Sequence, residues 1–257
     1  MGSYAKEHRT FFYNLKRYGF TFSAEEKKQM ITTIVLIAFF YSFNKWGTTS
    51  FDFLTGIKNL FLGALFATIA LAFNQVGQRI IAVYYGYDPV YSSGMLGLMI
   101  GLVVTFASRG YLFFFFPGVI NIRHLTASRL GEFRYYTNDW EWAKAGFMGP
   151  FLNILLAVMV SPWKQNPIMF QFMIVNILFA IYSLVPLPGS PGFYIFYPHV
   201  HFWTFVVGIV LGCTAVIFFL PPFFTLLIGI IVGIAAMWNH FGKDYGYIKP
   251  KGSGGHH

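Results

Sequence analysis

Long apolar runs separated by short polar stretches constrain the fold of this sequence more than any other feature. Only 11% of its 257 residues are charged, whereas 56% are hydrophobic and 21% are aromatic. A soluble domain usually has about 25% charged residues, and a membrane-spanning helix needs about 20 consecutive, mostly apolar residues. The sequence therefore predicts an integral membrane protein that crosses the bilayer several times.

Hydropathy and turn residues predict six or seven spans. In chain order these are residues 29–46, 54–84, 94–108, 143–161, 167–185, 200–220 and, as a span or a hairpin return, 223–238. Residues 1–28 mix aromatic and basic side chains, which is typical of an interfacial segment. Residues 241–257 form a tail that ends in what looks like a linker and histidine tag. The expected fold is an all-α polytopic bundle over residues 29–240.

Two local signals refine this bundle. Ser23 followed three residues later by Glu26 is typical of a helix start with a capping box. In the run RGYLFFFFPGVINIRH, Pro117 and Gly118 stand among aromatic and β-branched residues, which favours a small strand or re-entrant element over a further span. The polar stretch 121–142 that follows is expected outside the bilayer.

The formal net charge of +9 comes mainly from residues at the chain ends and between apolar runs. Basic residues in these places orient spans and contact anionic head groups, so the expected partners are membrane lipids and no nucleic acid. Six Lys and Arg residues precede the first span, which predicts a cytoplasmic N-terminus in the cell membrane. Cys213 is the single cysteine, so an intrachain disulfide is excluded.

Three amide residues interrupt the second apolar run. Asn74, Gln75 and Gln78 lie in FNQVGQ at positions i, i+1 and i+4. In a HExxH motif the same spacing places two histidine zinc ligands on one helical face, with a glutamate that activates the zinc-bound water. FNQVGQ aligns with FHEVGH in spacing and in the glycine before the second ligand.

Two further segments extend this likeness. GPFLN matches a G-P-x-x-N helix, and SLVPLPGSPG matches N-x-x-P-x-P-x-x-D-G near the end of a later helix. With these motifs the chain resembles the site-2 protease family of intramembrane zinc metalloproteases, in particular its archaeal branch, over roughly residues 20 to 200. The resemblance implies a groove beside the former active site, lined by Asn153, Asn176, Ser183, Pro188, Gly192, Pro117 and Gly118.

Every position that would contact zinc or its water departs from the family pattern. Asn74 and Gln78 replace the two histidines, Gln75 replaces the glutamate and Pro191 replaces the aspartate ligand. A carboxamide does not take a proton from water at neutral pH, and zinc catalysis needs three protein ligands and a water. The resemblance therefore implies a pseudoprotease that is not an enzyme and holds neither zinc nor another cofactor.

The expected function is then binding, either of a transmembrane partner or second copy, or as a structural subunit of a membrane complex. Two alternatives remain open at this point. One is an active intramembrane zinc protease whose ligands lie elsewhere, with His124, His199 and His201 as weak candidates. The other is a lipid- or solute-handling membrane protein that reuses the cavity.

Overall fold

The computed structural model of the protein describes residues 11–47, 50–124 and 138–246. A short π-helical turn at Leu15–Gly19 precedes the main elements. These are α1 (Ala24–Ser42), α2 (Phe53–Tyr84), β1 (Tyr87–Ser92), α3 (Met95–Ala107), β2 (Val119–His124), α4 (Asp139–Val160), α5 (Pro167–Ser183), α6 (Pro191–Phe196), α7 (Val200–Val216) and α8 (Pro222–Gly246).

The described residues contain three helices long and apolar enough to cross a membrane. They are α2, the segment Asp139–Trp163, which consists of α4 and the 3-10 turn that follows it, and Pro222–Gly242 of α8. The chain is thus a mostly helical protein compatible with a membrane, but this number is lower than the six or seven spans that the sequence predicts.

Helix length explains the difference. Helices α3, α5 and α7 have 13, 17 and 17 residues. At 1.5 Å per residue they measure about 20 to 26 Å, less than the hydrocarbon core of about 30 Å. Helix α1 opens with the charged run Glu25–Lys28, which shortens its apolar part.

Helix ends agree with the capping signals of the sequence. The Ser23 hydroxyl accepts a hydrogen bond from the Glu26 backbone amide, and the Glu26 carboxylate accepts one from the Ser23 backbone amide. The predicted capping box is therefore present. Helix α8 continues without a break to Gly246 and returns along α7, with Gly229 against Cys213 and Gly233 against Ile209. Residues 1–10, 125–137 and 247–257, which include parts of the interfacial, polar and tail segments, lie outside the described residues.

Strands β1 and β2 form a two-stranded antiparallel sheet in which Tyr87 pairs with His124 and Ser92 with Val119. The second strand agrees with the β element expected around Pro117 and Gly118, whereas the first lies in a stretch that reads as a loop because it contains Pro89. The Tyr91 amide donates to the Glu26 carboxylate instead of to β2. Since alternate residues of a strand point to the same edge, Pro89 also faces away from β2, where its missing N–H costs no ladder bond.

Two hydrophobic clusters share helix α5. One packs α1, α2 and α3 against Phe172, Val175 and Phe179 of α5. The other packs α4, α6 and α7 against Met173, Ile177 and Ala180. Helix α5 therefore joins the two halves of the bundle, and its polar residues lie along the boundary between them.

Candidate functional site

Six polar side chains from three helices are buried inside the bundle, and hydrogen bonds connect all of them except Gln75. Helix α2 supplies Asn74, Gln75 and Gln78, helix α4 supplies Asn153, and helix α5 supplies Asn176 and Ser183. Each is at most 2% exposed. We call this set the amide cluster. The sequence singles out all six of these residues, and the structure brings them together.

Hydrogen bonds connect the α2 amides to the other helices. The Asn74 Nδ2 donates to Asn153 Oδ1 at 2.8 Å and, more weakly, to Ser183 Oγ at 3.4 Å. The Gln78 Nε2 donates to Asn74 Oδ1 at 2.7 Å. The amides at i and i+4 are thus bonded to each other, which the i,i+4 geometry of a helix favours.

Asn153 is the hub of the cluster. Its Nδ2 donates to the Ala70 carbonyl oxygen at 2.9 Å and to Asn176 Oδ1 at 3.2 Å, while its Oδ1 accepts from Asn74. The outer members bond to the backbone of their own helix, Asn176 to Phe172 and Ser183 to Phe179. Asn153 therefore links three helices through one side chain.

Two glycines let helices α2 and α4 approach closely enough for these bonds. A Cβ atom on Gly77 would lie 2.7 Å from the Met148 carbonyl oxygen. A Cβ atom on Gly149 would lie 2.5 Å from Gln78 Nε2 and 3.0 Å from the Asn74 amide. At Gly77 the close atom is backbone, so a side chain there would force the helices apart, and at Gly149 it would displace the Gln78 amide from its bond to Asn74.

Gln75 is the exception in the cluster. It is 2% exposed, yet neither its Nε2 nor its Oε1 has a hydrogen-bond partner among the described residues. A buried polar group left unpaired costs about 1–3 kcal/mol. The carboxamide at the position of the family's glutamate therefore keeps an unused donor and an unused acceptor.

The sheet contacts the amide cluster through the edge of β2 that faces away from β1. The Ile120 amide donates to Gln78 Oε1 at 3.3 Å, so this amide points away from β1. Because backbone groups alternate between the two edges of an antiparallel strand, the Ile122 amide points to the same side as the Ile120 amide. Pro117 and Gly118 lie just before β2, where the Pro117 carbonyl oxygen accepts from the Tyr91 hydroxyl and Gly118 has a φ of +88°.

The Pro-rich loop after α5 is only partly inside the site. Pro191 is buried at the start of α6, and its carbonyl oxygen lies 3.3 Å from where a Cβ on Gly146 would be. Because Gly146 and Gly149 are neighbours at i,i+3 on α4, Pro191 lies about one helical turn from the amides. Gly192 packs against the Leu184 backbone, whereas Pro188 is exposed in the loop.

His199 and His201, two of the three histidines considered as alternative ligands, do not join the amide cluster. The His199 ring packs edge-on against Trp140, and the His201 Nδ1 lies 3.1 Å from His240 Nδ1. His124 ends β2, and its side chain is outside the described part of the structure. Within that part, no three His, Cys, Asp or Glu side chains lie close enough together to hold one metal ion.

Sequence reasoning missed a buried ion pair next to the site. The Arg79 guanidinium is fully buried and lies 2.5 Å from the Glu26 carboxylate, which also accepts from the Tyr91 amide. The Arg79 guanidinium further donates to the Gly19 carbonyl oxygen and stacks over the Phe22 ring. An arginine inside an apolar run is itself the signal that could have revealed this pair, because such residues face a partner inside the bundle.

Opposing effects set the protonation of Glu26. Burial raises the pKa of its carboxyl, but hydrogen bonds from the Tyr91 and Ser23 amides and the Arg79 guanidinium outweigh burial, so the pKa lies below its ordinary value. Glu26 therefore stays ionised and holds the N-terminal segment, α1, α2 and β1 together.

No protein-family model, no curated protein and no solved structure matches this chain. What the site can do chemically is therefore inferred from its own residues and their geometry.

Proposed function

We propose that this chain is a catalytically inactive, site-2-protease-like membrane protein that acts by binding. It holds a transmembrane partner or a second copy of itself in the groove that the resemblance implies beside the amide cluster, or it serves as a structural subunit of a membrane complex. The observation that carries this proposal is the amide cluster. Residues from three separate motifs of the resemblance lie within hydrogen-bonding reach of one another in one buried place.

The chemistry of the cluster supports binding over hydrolysis. Its members are carboxamides and one hydroxyl, which do not ionise near neutral pH and so provide no general base. Amide oxygens are also poor zinc ligands beside imidazole, thiolate or carboxylate. Pro191 adds no side-chain donor or acceptor. The cluster is suited to hydrogen bonding between helices, where each bond contributes about 0.6 to 2 kcal/mol.

Gln75 supports a bound partner. Its unpaired donor and acceptor match the C=O and N–H groups of a peptide backbone, with which an added segment could pair. A partner that bonds to Gln75 would remove the penalty of the unpaired carboxamide. This feature favours a proteinaceous occupant over a purely apolar one.

Restoring the missing zinc chemistry tests the resemblance on which this proposal rests. The variant carries Asn74→His, Gln75→Glu, Gln78→His and Pro191→Asp, and the terminal histidines are removed from all proteins. We expect about one zinc per chain in this variant, because it regains three ligands in the arrangement that zinc requires. Elemental analysis of the detergent-purified, monodisperse proteins measures the zinc content.

Two comparisons complete this experiment. The parent chain and a variant with the same changes on α2 but with Pro191 retained should both show background zinc, since each lacks a full ligand set. About one zinc per parent chain would instead favour the active protease with other ligands. Background zinc in the folded four-residue variant would contradict the resemblance.

A single substitution tests the binding role. Gln75→Met keeps the side-chain volume and removes the unpaired polar atoms, so we expect it to stabilise the isolated protein by about 1 kcal/mol. The same change should weaken binding of the partner or second copy, measured by stoichiometric co-purification or by the dimer fraction in nanodiscs. Thr68→Val, on the exposed face of α2, is the control. Equal binding by the parent and Gln75→Met would contradict this role.

We also propose that the apolar parts of α1, α3, α5 and α7 lie within the bilayer beside the three long helices, in a cell membrane with the N-terminus in the cytoplasm. The excess of basic residues before the first apolar run supports this orientation. Reporter fusions after each polar loop, read for cytoplasmic or external location, test it. A reporter active outside the cell when fused before α1 would overturn the orientation.

A further inference from the structure

A polar cavity of about 670 Å³ lies between the N-terminal segment and the β1–β2 sheet. It shares no lining residue with the amide cluster. One wall comes from residues 17–29, and the other from the face of the sheet that is turned away from the hydrophobic core. Along β1 buried and partly exposed residues alternate, so Asp88 lines this face together with its cross-strand partner Arg123.

Charges of both signs line the cavity. Arg17 and Arg123 are positive, whereas Glu25, Glu26 and Asp88 are negative. Among the described residues the single ion pair joins Arg79 to Glu26, so within that part of the chain the other four charged lining groups have no counter-ion at salt-bridge distance. With Glu26 paired to Arg79, the remaining two positive and two negative lining groups balance, and Arg17 also donates to the Tyr13 hydroxyl.

The cavity lies at the level where lipid head groups are expected. Helix α2 is long enough to span the bilayer and ends at Tyr84, three residues before β1 begins. The neighbouring N-terminal segment exposes Phe12 and Tyr13, which are 65% and 59% exposed, next to the basic residues Lys16 and Arg17. Aromatic and basic side chains together are typical of the membrane interface.

The negative side of the cavity favours a cation. Burial raises the pKa of the Asp88 carboxyl, and the nearby Glu26 carboxylate raises it further, against the opposing effect of Arg123 and Arg79. A positive group beside Asp88 would stabilise its carboxylate and so offset the effects of burial and of Glu26 on its pKa. Carboxylates accept hydrogen bonds from a primary ammonium, which has three donors, whereas a quaternary ammonium has none and is recognised by aromatic faces.

We propose that this cavity binds the head group of a zwitterionic phospholipid that carries a primary ammonium. The phosphate lies against Arg17 and Arg123, and the ammonium lies against Asp88 and Glu25. A volume of about 670 Å³ is within the range of small-molecule sites. This site is independent of the groove beside the amide cluster.

Lipid titration followed by native mass spectrometry tests the proposal on the full chain. Phosphatidylethanolamine, phosphatidylcholine and phosphatidylglycerol with identical acyl chains are added to the detergent-purified protein. We expect the ethanolamine lipid to bind about tenfold more tightly than the other two, which corresponds to about 1.4 kcal/mol. Equal binding of the three lipids would overturn the proposal.

Variants locate the site. Asp88→Asn should reduce the preference for ethanolamine over choline to less than about threefold, and Arg123→Gln, at an exposed position, should weaken both lipids about equally. Asp139→Asn, an exposed carboxylate on α4 that does not line the cavity, is the matched control and should keep the full preference. An unchanged preference in Asp88→Asn together with unchanged affinities in Arg123→Gln would place the binding elsewhere and overturn the assignment.

The source of the head group is distinguished by competition. Soluble glycerophosphoethanolamine carries the same phosphate and ammonium without acyl chains. If this compound displaces the lipid, the cavity recognises the head group itself and also binds a soluble ligand that carries it. Binding of the lipid that is not displaced supports a membrane lipid as the ligand, with the acyl chains on the outside of the bundle.

Discussion

At the scale of single residues, the amide cluster shows how one side chain can hold several helices. Asn153 contacts α2 and α5 while it belongs to α4, and both of its amide hydrogens and its oxygen are used. In a membrane interior an unsatisfied polar group has no water to bond to. The stability of this bundle therefore depends strongly on the completeness of the network.

Removal of the hub tests this dependence. Asn153→Leu keeps a similar volume but leaves Asn176 Oδ1 without its donor and Asn74 Nδ2 with only the weaker bond to Ser183. We expect a loss of about 1–3 kcal/mol in the free energy of unfolding, measured by titration with SDS in mixed micelles. Thr68→Val, which removes only an exposed bond to the carbonyl of Ala64, should change it by less than about 0.5 kcal/mol.

The lowered pKa of Glu26 predicts a dependence of stability on pH. Its contribution is fully present above the ordinary glutamate pKa of about 4.3 and is lost as the pH falls through the lower pKa of the folded state. The difference in melting temperature between the parent and Glu26→Gln should therefore be largest near neutral pH and shrink below about pH 4. A constant difference between pH 7 and pH 3 would contradict this assignment.

Asp88 provides a control of opposite sign. Its pKa is raised in the folded state, so its charged form destabilises the fold above that pKa, and the penalty disappears as the pH falls. Asp88→Asn should thus raise the melting temperature at neutral pH and have no effect near pH 3.

At the scale of secondary structure, glycines set how closely elements pack. The extended segment of phenylalanines before β2 lies on a glycine face of α3, where a Cβ on Gly101 would lie within bond distance of the Phe114 carbonyl oxygen and one on Gly97 would overlap the Phe116 ring. The crossing of α2 and α4 at Gly77 follows the same rule. Small residues replace hydrophobic bulk at membrane helix contacts because close backbone approach gives more packing.

Substitution at the α2–α4 crossing tests this packing. Gly77→Ala places a Cβ 2.7 Å from the Met148 carbonyl oxygen, so the helices must separate. We expect a loss of about 1–3 kcal/mol together with weaker bonds between Asn74 and Asn153, measured as lower unfolding free energy and faster amide exchange. Gly242→Ala on α8, where the added atom meets nothing within 4 Å, should be neutral or stabilising by up to about 1 kcal/mol.

Sequence reasoning located the helices and the amide cluster well, because hydropathy and motif spacing are local. It counted more spans than there are long apolar helices in the described residues, because short apolar runs such as 94–108 were counted as spans. The helix in that run has only 13 residues. It missed β1 because a proline argues against a strand unless its nitrogen is known to face away from the partner strand, as that of Pro89 does. The Arg79–Glu26 pair joins residues 53 positions apart, so the arginine in its apolar run indicates a partner but does not identify Glu26.

At the scale of the whole molecule, Cys213 reports on the packing of the last two helices. The thiol is buried, and a Cβ on Gly229 of α8 would lie 2.2 Å from its Sγ. We expect the parent to react slowly with a maleimide in mild detergent and rapidly in SDS. Gly229→Ala should react at least about tenfold faster in mild detergent, because about 1.4 kcal/mol of lost packing raises the open population by that factor.

The same reagent provides the control and the contrary outcome. Gly242→Ala lies on the same helix away from the contact and should react as slowly as the parent. If Gly229→Ala also reacts slowly, α7 and α8 do not pack against each other in the way described.

The hydrogen-bonded boundary between the two halves of the bundle has a consequence for where this protein can operate. A boundary held by a metal ion would loosen whenever the ion is scarce, chelated or displaced by protons. Carboxamides do not titrate near neutral pH, so the hydrogen bonds that join α2, α4 and α5 do not change with protonation there. These bonds come from the chain's own side chains and form as the three helices pack.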